Sequence, residues 1–114
     1  MQNTPYQAIH DNWAEERGSL INALRNSVFD KESYDHLVAS LTFLKDNMEA
    51  HHLETILIAN RICNYLLLLF IAHFDPRDSY EAAGLSEYEE IASEIYSLGT
   101  EIMENALHML SGRT

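Results

Sequence analysis

Residues 53–74 read LETILIANRICNYLLLLFIAHF, and this stretch decides the fold. Its part at residues 65–72 runs without a polar break, which suits a buried strand or a buried helix equally well. The flanks favour a helix, because no Gly or Pro occurs from Ser19 to Asp75 and the composition is rich in Leu. A helix that is apolar on nearly all sides must be covered on nearly all sides. We therefore predict an all-α bundle of three or four long helices around a central apolar helix at about residues 53–74, covered by the other helices or by a second subunit.

The same stretch is short for a membrane span, which takes about 20 mostly apolar residues. Only residues 62–74 approach this, and they contain Asn64 and His73, with Asn60 and Arg61 just upstream. The first residues, MQNTPYQAIHDNW, lack the basic and apolar regions of a signal peptide. We expect no membrane association and a cytoplasmic location.

Length and charge restrict the possible functions. The chain has 114 residues, 46% of them hydrophobic, which suits a single all-helical domain over residues 1–114. Its 18 acidic and 7 basic residues give a net charge of −11. Such a field repels nucleic acid and favours a basic protein partner. Arg17, Arg25 and Arg61 are isolated from one another in the sequence, so no basic patch for nucleic-acid binding is predicted.

The start of the chain carries a helix signal. Thr4 suits the N-cap, Pro5 the first helical position, and Gln7 completes a capping box. The helix is expected to run to residues 27–29, with a weak point at Gly18. Asp30 is expected to cap the next helix.

Residues 45–55, KDNMEAHHLET, leave two alternatives open. They are polar but contain no helix breaker. In the first alternative a turn near Asp46, with Asp46 and Glu49 as a capping box, separates two helices and gives a compact four-helix bundle. In the second, one helix runs from Lys31 to about Phe74, about 65 Å at 1.5 Å per residue, and requires a dimer to cover it.

The last helix is predicted from a capping box of Ser86 and Glu89 to about Leu110, after a short helical turn between Asp75 and Gly84. Its apolar face recurs at helical spacing and comprises Tyr88, Ile91, Ala92, Ile95, Leu98, Ile102, Ala106 and Met109. No strand is predicted anywhere in the chain.

A row of acidic residues follows the apolar face of this last helix at intervals of three, four and seven. The predicted partner-binding acidic face consists of Glu87, Glu90, Glu94, Glu101 and Glu104. A solvated surface is the plainer interpretation, since a helix tolerates such a row at a few tenths of a kcal/mol per like-charged pair. The functional interpretation is a surface for a basic partner, with mimicry of nucleic acid as a special case.

Metal and covalent chemistry have weaker signals. Glu49 and His52 form one E-x-x-H, and Glu104 and His108 lie one turn apart, whereas a bundle di-metal site uses two E-x-x-H motifs and two further Glu. The lone Cys63 lies in the apolar stretch and is expected to be a small hydrophobe. No metal, cofactor or catalytic residue is predicted.

Two hypotheses of function follow. The first is a small non-enzymatic interaction module of the inhibitor, immunity or regulatory adaptor type, homodimeric and binding a partner through its acidic helix face. The alternative is a metal-dependent enzyme that uses carboxylates or histidines inside the bundle.

Overall fold

The apolar stretch at residues 53–74 is a helix in the computed structural model, which describes residues 5–74 and 88–112. The helices are α1 (Gln7–Trp13), α2 (Leu20–Arg25), α3 (Lys31–Asp46), α4 (Leu53–Phe74) and α5 (Tyr88–Ser111). A single 3₁₀ turn, Ala50–His52, leads into α4. The all-α prediction is confirmed, and the described residues contain no strand.

Four helices form the bundle. Helix α4 packs against α5 and α1, and α3 packs against the same two helices, so that α3 and α4 lie at opposite corners. The short α2 packs on α1 and α3. The fully buried core draws on every helix and includes Ile9, Leu20, Leu24, Leu37, Leu41, Leu44, Ile62, Leu66, Phe70, Ile95 and Ile102.

Helix α4 is not covered on all sides by its own chain. It buries Ile56, Ile62 and Leu66 against the bundle, whereas Leu57, Leu68 and Ile71 keep 60%, 65% and 63% of their surface exposed. The single chain therefore shows neither a central position for this helix nor a dimer.

The predicted first helix is two helices. The chain reverses between α1 and α2, and Glu15 (φ +54°) and Gly18 (φ +91°) adopt positive φ within that loop. Helix α1 already ends at Trp13, and Gly18, which adopts positive φ without steric cost, belongs to the loop that leads into α2. The N-cap position of α1 is Tyr6, and Thr4 of the predicted capping box lies outside the described residues.

A buried asparagine fixes the reversal. Asn12, 2% exposed, donates from Nδ2 to the Ala8 carbonyl at 2.7 Å and accepts from the Ile21 backbone N–H at 2.7 Å. The second bond satisfies one of the N–H groups that the first turn of a helix leaves unpaired. Ser19 satisfies another, because its hydroxyl accepts from the Asn22 N–H at 3.2 Å. Asn12 thus acts as a remote cap that sets α2 against α1.

Between α3 and α4, the two-helix alternative is confirmed: α3 ends at Asp46 and the chain turns through residues 47–52. The predicted pairing of Asp46 with Glu49 in a capping box is wrong. The observed box uses Glu49 and His52, and the Glu49 N–H donates to His52 Nδ1 at 3.1 Å. Asn47 is the C-cap of α3: its backbone N–H makes a final helical bond to the Phe43 carbonyl at 3.0 Å, and its side-chain Nδ2 donates to the same carbonyl at 3.0 Å. A polar turn without Gly or Pro is possible because side chains satisfy its backbone groups.

The remaining boundaries agree with the sequence where the structure describes them. Asp30 is the N-cap of α3, and the Ser33 hydroxyl donates to its carboxylate at 2.7 Å. Helix α5 ends at Ser111 and buries Ile95, Leu98 and Ile102 of its predicted face. The predicted turn between residues 75 and 84 and the Ser86 cap lie outside the described residues.

Candidate interaction surfaces

The predicted acidic face lies on the solvent side of α5. Glu90, Glu94, Glu101 and Glu104 are exposed, and Glu87 lies outside the described residues. Two of the four are engaged by α3, on the neighbouring corner of the bundle. The acidic face therefore contacts α3 through Glu94 and Glu101, whereas Glu104 lies at a groove between α5 and α4.

Glu94 is one of the two engaged residues. The Tyr34 hydroxyl donates a hydrogen bond to Glu94 Oε1, and the tyrosine itself is buried. Burial raises the pKa of Tyr34 well above its usual 10, and the hydrogen bond to Glu94 raises it further because it favours the protonated phenol.

Glu101 is the second acidic residue that α3 engages. Lys45 Nζ lies 3.3 Å from Glu101 Oε2, and the Lys45 carbonyl accepts a hydrogen bond from Asn105 Nδ2 at 3.0 Å. Within the described part of the chain, Glu90 and Glu104 make no ion pair, which leaves these carboxylates to solvent or to a partner.

The opposite flank of α5, towards α4, is apolar and open. Here α5 exposes Tyr96 (63%), Leu107 (61%) and Leu110 (41%), next to the exposed Leu57 and Ile71 of α4. A groove of about 240 Å³ runs between the two helices. Its lining includes Asn60, Asn64 and Leu67 of α4, Tyr96, Met103 and Leu107 of α5, and also Glu104, at which the groove meets the acidic face. We call this surface the α4/α5 face.

The α4 part of this face has a regular pattern. Residues 53, 57, 60, 64, 67 and 71 recur at intervals of four and three and lie on one side of the helix. They read Leu, Leu, Asn, Asn, Leu and Ile. Both the spacing and the chemistry are nearly the same in either direction along the helix, so the row is close to a palindrome. The sequence contained this row, but the apolar residues all around α4 concealed which side faces outward.

The residues considered as metal ligands in the sequence do not converge. His51 Nδ1 lies 3.3 Å from Glu49 Oε2, and the His51 and His52 rings are tilted by 59° with centroids 4.2 Å apart, all on the turn before α4. His52 also packs edge-on against Tyr6, with ring centroids 5.0 Å apart. Across residues 5–74 and 88–112, no three His, Cys, Asp or Glu side chains are grouped to hold a metal ion.

Cys63 is buried where α4 meets α5. A Cβ placed on Gly99 would lie 3.2 Å from the Cys63 Cβ, so the two backbones approach closely here. Burial raises the pKa of the Cys63 thiol to about 12, which keeps it protonated at neutral pH.

The structure brings together two arginines that the sequence left apart. Arg25 of α2 and Arg61 of α4 line one pocket of about 300 Å³ with Trp13, Glu15 and Tyr65. The sequence carries no signal of this site, because its residues come from α1, α2, α4 and the loop after α1. No spacing along the chain signals their meeting.

One stretch of the described residues, Ala50–His73, is long and apolar enough to cross a membrane by length and composition alone, and 44% of its 18-residue apolar segment is buried inside the structure. The core helix of a soluble protein meets the same criterion. Comparisons of the chain with protein-family models, with curated proteins and with solved structures return no match.

Proposed function

We propose that this protein is a non-enzymatic, homodimeric interaction module that pairs with a second copy through its α4/α5 face and binds a basic protein partner through the acidic face of α5. The observation that carries the proposal is the unpartnered apolar row on α4 beside the exposed Tyr96 and Leu107 of α5. Inhibitor, immunity and regulatory adaptor proteins of the cytoplasm are the classes that fit such a module.

The near-palindromic row favours a second copy as the occupant. In a two-fold dimer, a residue i that contacts residue j is matched by j contacting i. If two α4 helices pack antiparallel about a point level with residue 62, Leu53 meets the partner's Ile71 and Leu57 meets the partner's Leu67. Asn60 then meets the partner's Asn64, so that the only polar residues of the row hydrogen-bond to each other.

The size of the face is also sufficient. A helix of 22 residues is about 33 Å long. With two helices about 10 Å apart, the face measures about 33 by 20 Å, or roughly 650 Å² per subunit. Two such faces bury roughly 1,300 Å², which exceeds the area of about 1,000 Å² that a specific interface needs.

Lipid suits the face less well than a second copy does. Asn60 and Asn64 lie at the middle of the row, and the exposed Arg61 flanks it. Polar and charged groups are costly at the centre of a bilayer, whereas a symmetric protein interface offers the asparagines partners.

The acidic face supports a basic partner through charge and position. Glu90 and Glu104 are exposed and, among the described residues, without an ion pair, while Glu94 and Glu101 are held in place by Tyr34 and Lys45. Carboxylates fixed in this way lose less side-chain entropy when they bind a partner. Because the chain has a net charge of −11, association with a basic surface is also accelerated by long-range attraction.

The test of partner binding compares two variants of equal charge. One carries Glu→Gln at 90, 94, 101 and 104, and the other carries Asp11→Asn with Glu→Gln at 16, 32 and 54, which lie elsewhere on the surface. Candidate partners are captured from the native host by affinity, and the binding of each to both variants is measured. The expected partner binds the first variant more weakly than the wild type and binds the second variant equally well. Its affinity for the wild type should fall as the salt concentration rises. A captured partner that binds both variants equally would contradict the assignment to the acidic face.

A further inference from the structure

The pocket that holds Arg25 and Arg61 has the composition of a ligand site. From it we infer that the protein binds a small planar anion, an aromatic carboxylate, between α1, α2 and α4. This site shares no lining residue with either surface of the proposed function, although Arg61 borders the α4 row.

The pocket concentrates positive charge in an acidic protein. The chain has seven Lys and Arg among 114 residues, and two of them, Arg25 and Arg61, line this one cavity of about 300 Å³. The guanidinium group is planar and matches a carboxylate with two parallel hydrogen bonds. In a chain of net charge −11, an anion finds few other places where the local field is favourable.

Aromatic walls complete the site. The Arg61 guanidinium carbon lies 5.7 Å from the centroid of the Trp13 ring, and Trp13 is half exposed. The Tyr65 hydroxyl accepts a hydrogen bond from Arg25 Nη1 at 3.2 Å. An aromatic ring in this pocket would lie beside Trp13 and Tyr65, with its carboxylate substituent among the arginines that line the same cavity. A cavity near 300 Å³ is at the lower end of ligand pockets, which limits the ligand to one or two rings.

Glu15 occupies the place that the ligand's carboxylate would take. Its Oε1 lies 3.1 Å from Arg25 Nε, and both side chains are about half exposed, so the pair is screened by solvent and weak. Glu15 is also one of two non-glycine residues with positive φ among those described. Such conformations cost energy and cluster at functional sites. Asn22 holds it there by donating from Nδ2 to the Glu15 carbonyl at 3.2 Å.

Arg61 is the more available of the two arginines. Apart from its contact with Trp13, it makes no ion pair within residues 5–74 and 88–112, and it is exposed. An incoming carboxylate would bind Arg61 directly and compete with Glu15 for Arg25.

The probe is 2-naphthoate, and its neutral isostere 2-naphthamide is the control ligand. Trp13 is the single tryptophan of the chain, so its fluorescence reports on the pocket. Naphthoate should quench it saturably, and the amide should bind at least about tenfold more weakly, because hydrogen bonds to a charged group are the strong ones. Isothermal titration calorimetry measures the same affinities independently of Trp13 fluorescence.

Three variants give three different expected results. Arg61→Gln should lower the affinity for naphthoate at least about tenfold. Glu15→Gln should raise this affinity about two- to fivefold, because the competing carboxylate is removed. Arg17 is exposed and does not line the pocket, so Arg17→Gln should change the affinity by less than about twofold, since a distant surface charge is screened.

Circular dichroism should be unchanged in all three variants, because the substituted side chains are exposed. Quenching that does not saturate, equal affinity for the acid and the amide, or an Arg61→Gln protein that binds like the wild type would each overturn the inference.

Discussion

The buried Tyr34 hydroxyl of α3 donates a hydrogen bond to Glu94 of α5, and so ties a member of the acidic face to the bundle core. The Glu94 carboxylate is thus both a surface charge and the acceptor for a phenol that lies 3% exposed. The two roles can be separated by substitution, because Gln removes the charge but keeps an acceptor oxygen, whereas Ala removes both.

Glu94→Gln should change the free energy of unfolding by less than about 0.5 kcal/mol, because the amide oxygen still accepts from Tyr34. Glu94→Ala should cost about 1–2 kcal/mol, since it leaves the phenol without an acceptor. Urea unfolding of both variants, with Tyr34→Phe and the double variant, gives the coupling energy of the pair. Additive losses would show that the hydrogen bond does not contribute to stability.

Asn12 should be the most sensitive polar position in the N-terminal half. Asn12→Ala leaves the Ile21 N–H unpaired in a buried setting and should cost about 1–3 kcal/mol. Asn26→Ala is the matched control, because it removes an exposed side-chain hydrogen bond to the Asn22 carbonyl. It should change the free energy of unfolding by less than about 0.5 kcal/mol. Equal midpoints in thermal unfolding would contradict the role of Asn12 as a remote cap.

Stability should fall at alkaline pH through Cys63. Its pKa is raised from 9.0 to about 12 in the folded state, so the unfolded chain releases the thiol proton first. The contribution to stability is complete below pH 9 and is lost as pH rises towards 12, by up to about 1.4 kcal/mol per pH unit. Tyr34 acts in the same direction above its usual pKa of 10.

The measurement for Cys63 is urea unfolding between pH 7 and 10. Wild-type protein should lose stability from pH 9 onwards, whereas Cys63→Ala, although less stable throughout, should have a flat profile over that interval. Parallel profiles for the two proteins would show that the thiol ionises equally in both states.

Much of the fold follows from periodicity and caps. The helical state of residues 53–74, the Asp30 cap and the buried Ile95, Leu98 and Ile102 all depend on local spacing, and they agree with the structure. The first helix was expected to have only a weak point at Gly18, but α1 ends at Trp13, and the break depends on the hydrogen bond from the Ile21 N–H to Asn12 across the loop. The capping box before α4 was misassigned, because Glu49 takes the N-cap position and His52 the third position, where Asp46 and Glu49 were expected.

The surfaces were harder to predict. Acidic spacing indicated one face of α5, but not the engagement of Glu94 and Glu101 by α3, which depends on how the helices pack. The open side of α4 cannot be read from a helix that is apolar all round. The arginine pocket joins residues that lie far apart in the sequence, such as Trp13, Arg25 and Arg61, and no local pattern connects them.

The molar mass in solution, measured by light scattering or sedimentation equilibrium, tests the dimer most directly. The wild type should have twice the chain mass of 13.1 kDa, and Leu57→Asp should be a folded monomer, because each dimer would bury two unpaired carboxylates at a cost of several kcal/mol. Val28→Asp, the same kind of change at an apolar side chain that is 46% exposed away from the face, should remain a dimer. A monomeric wild type at micromolar concentration, a Leu57→Asp dimer, or wild-type protein that floats with lipid vesicles would contradict the account.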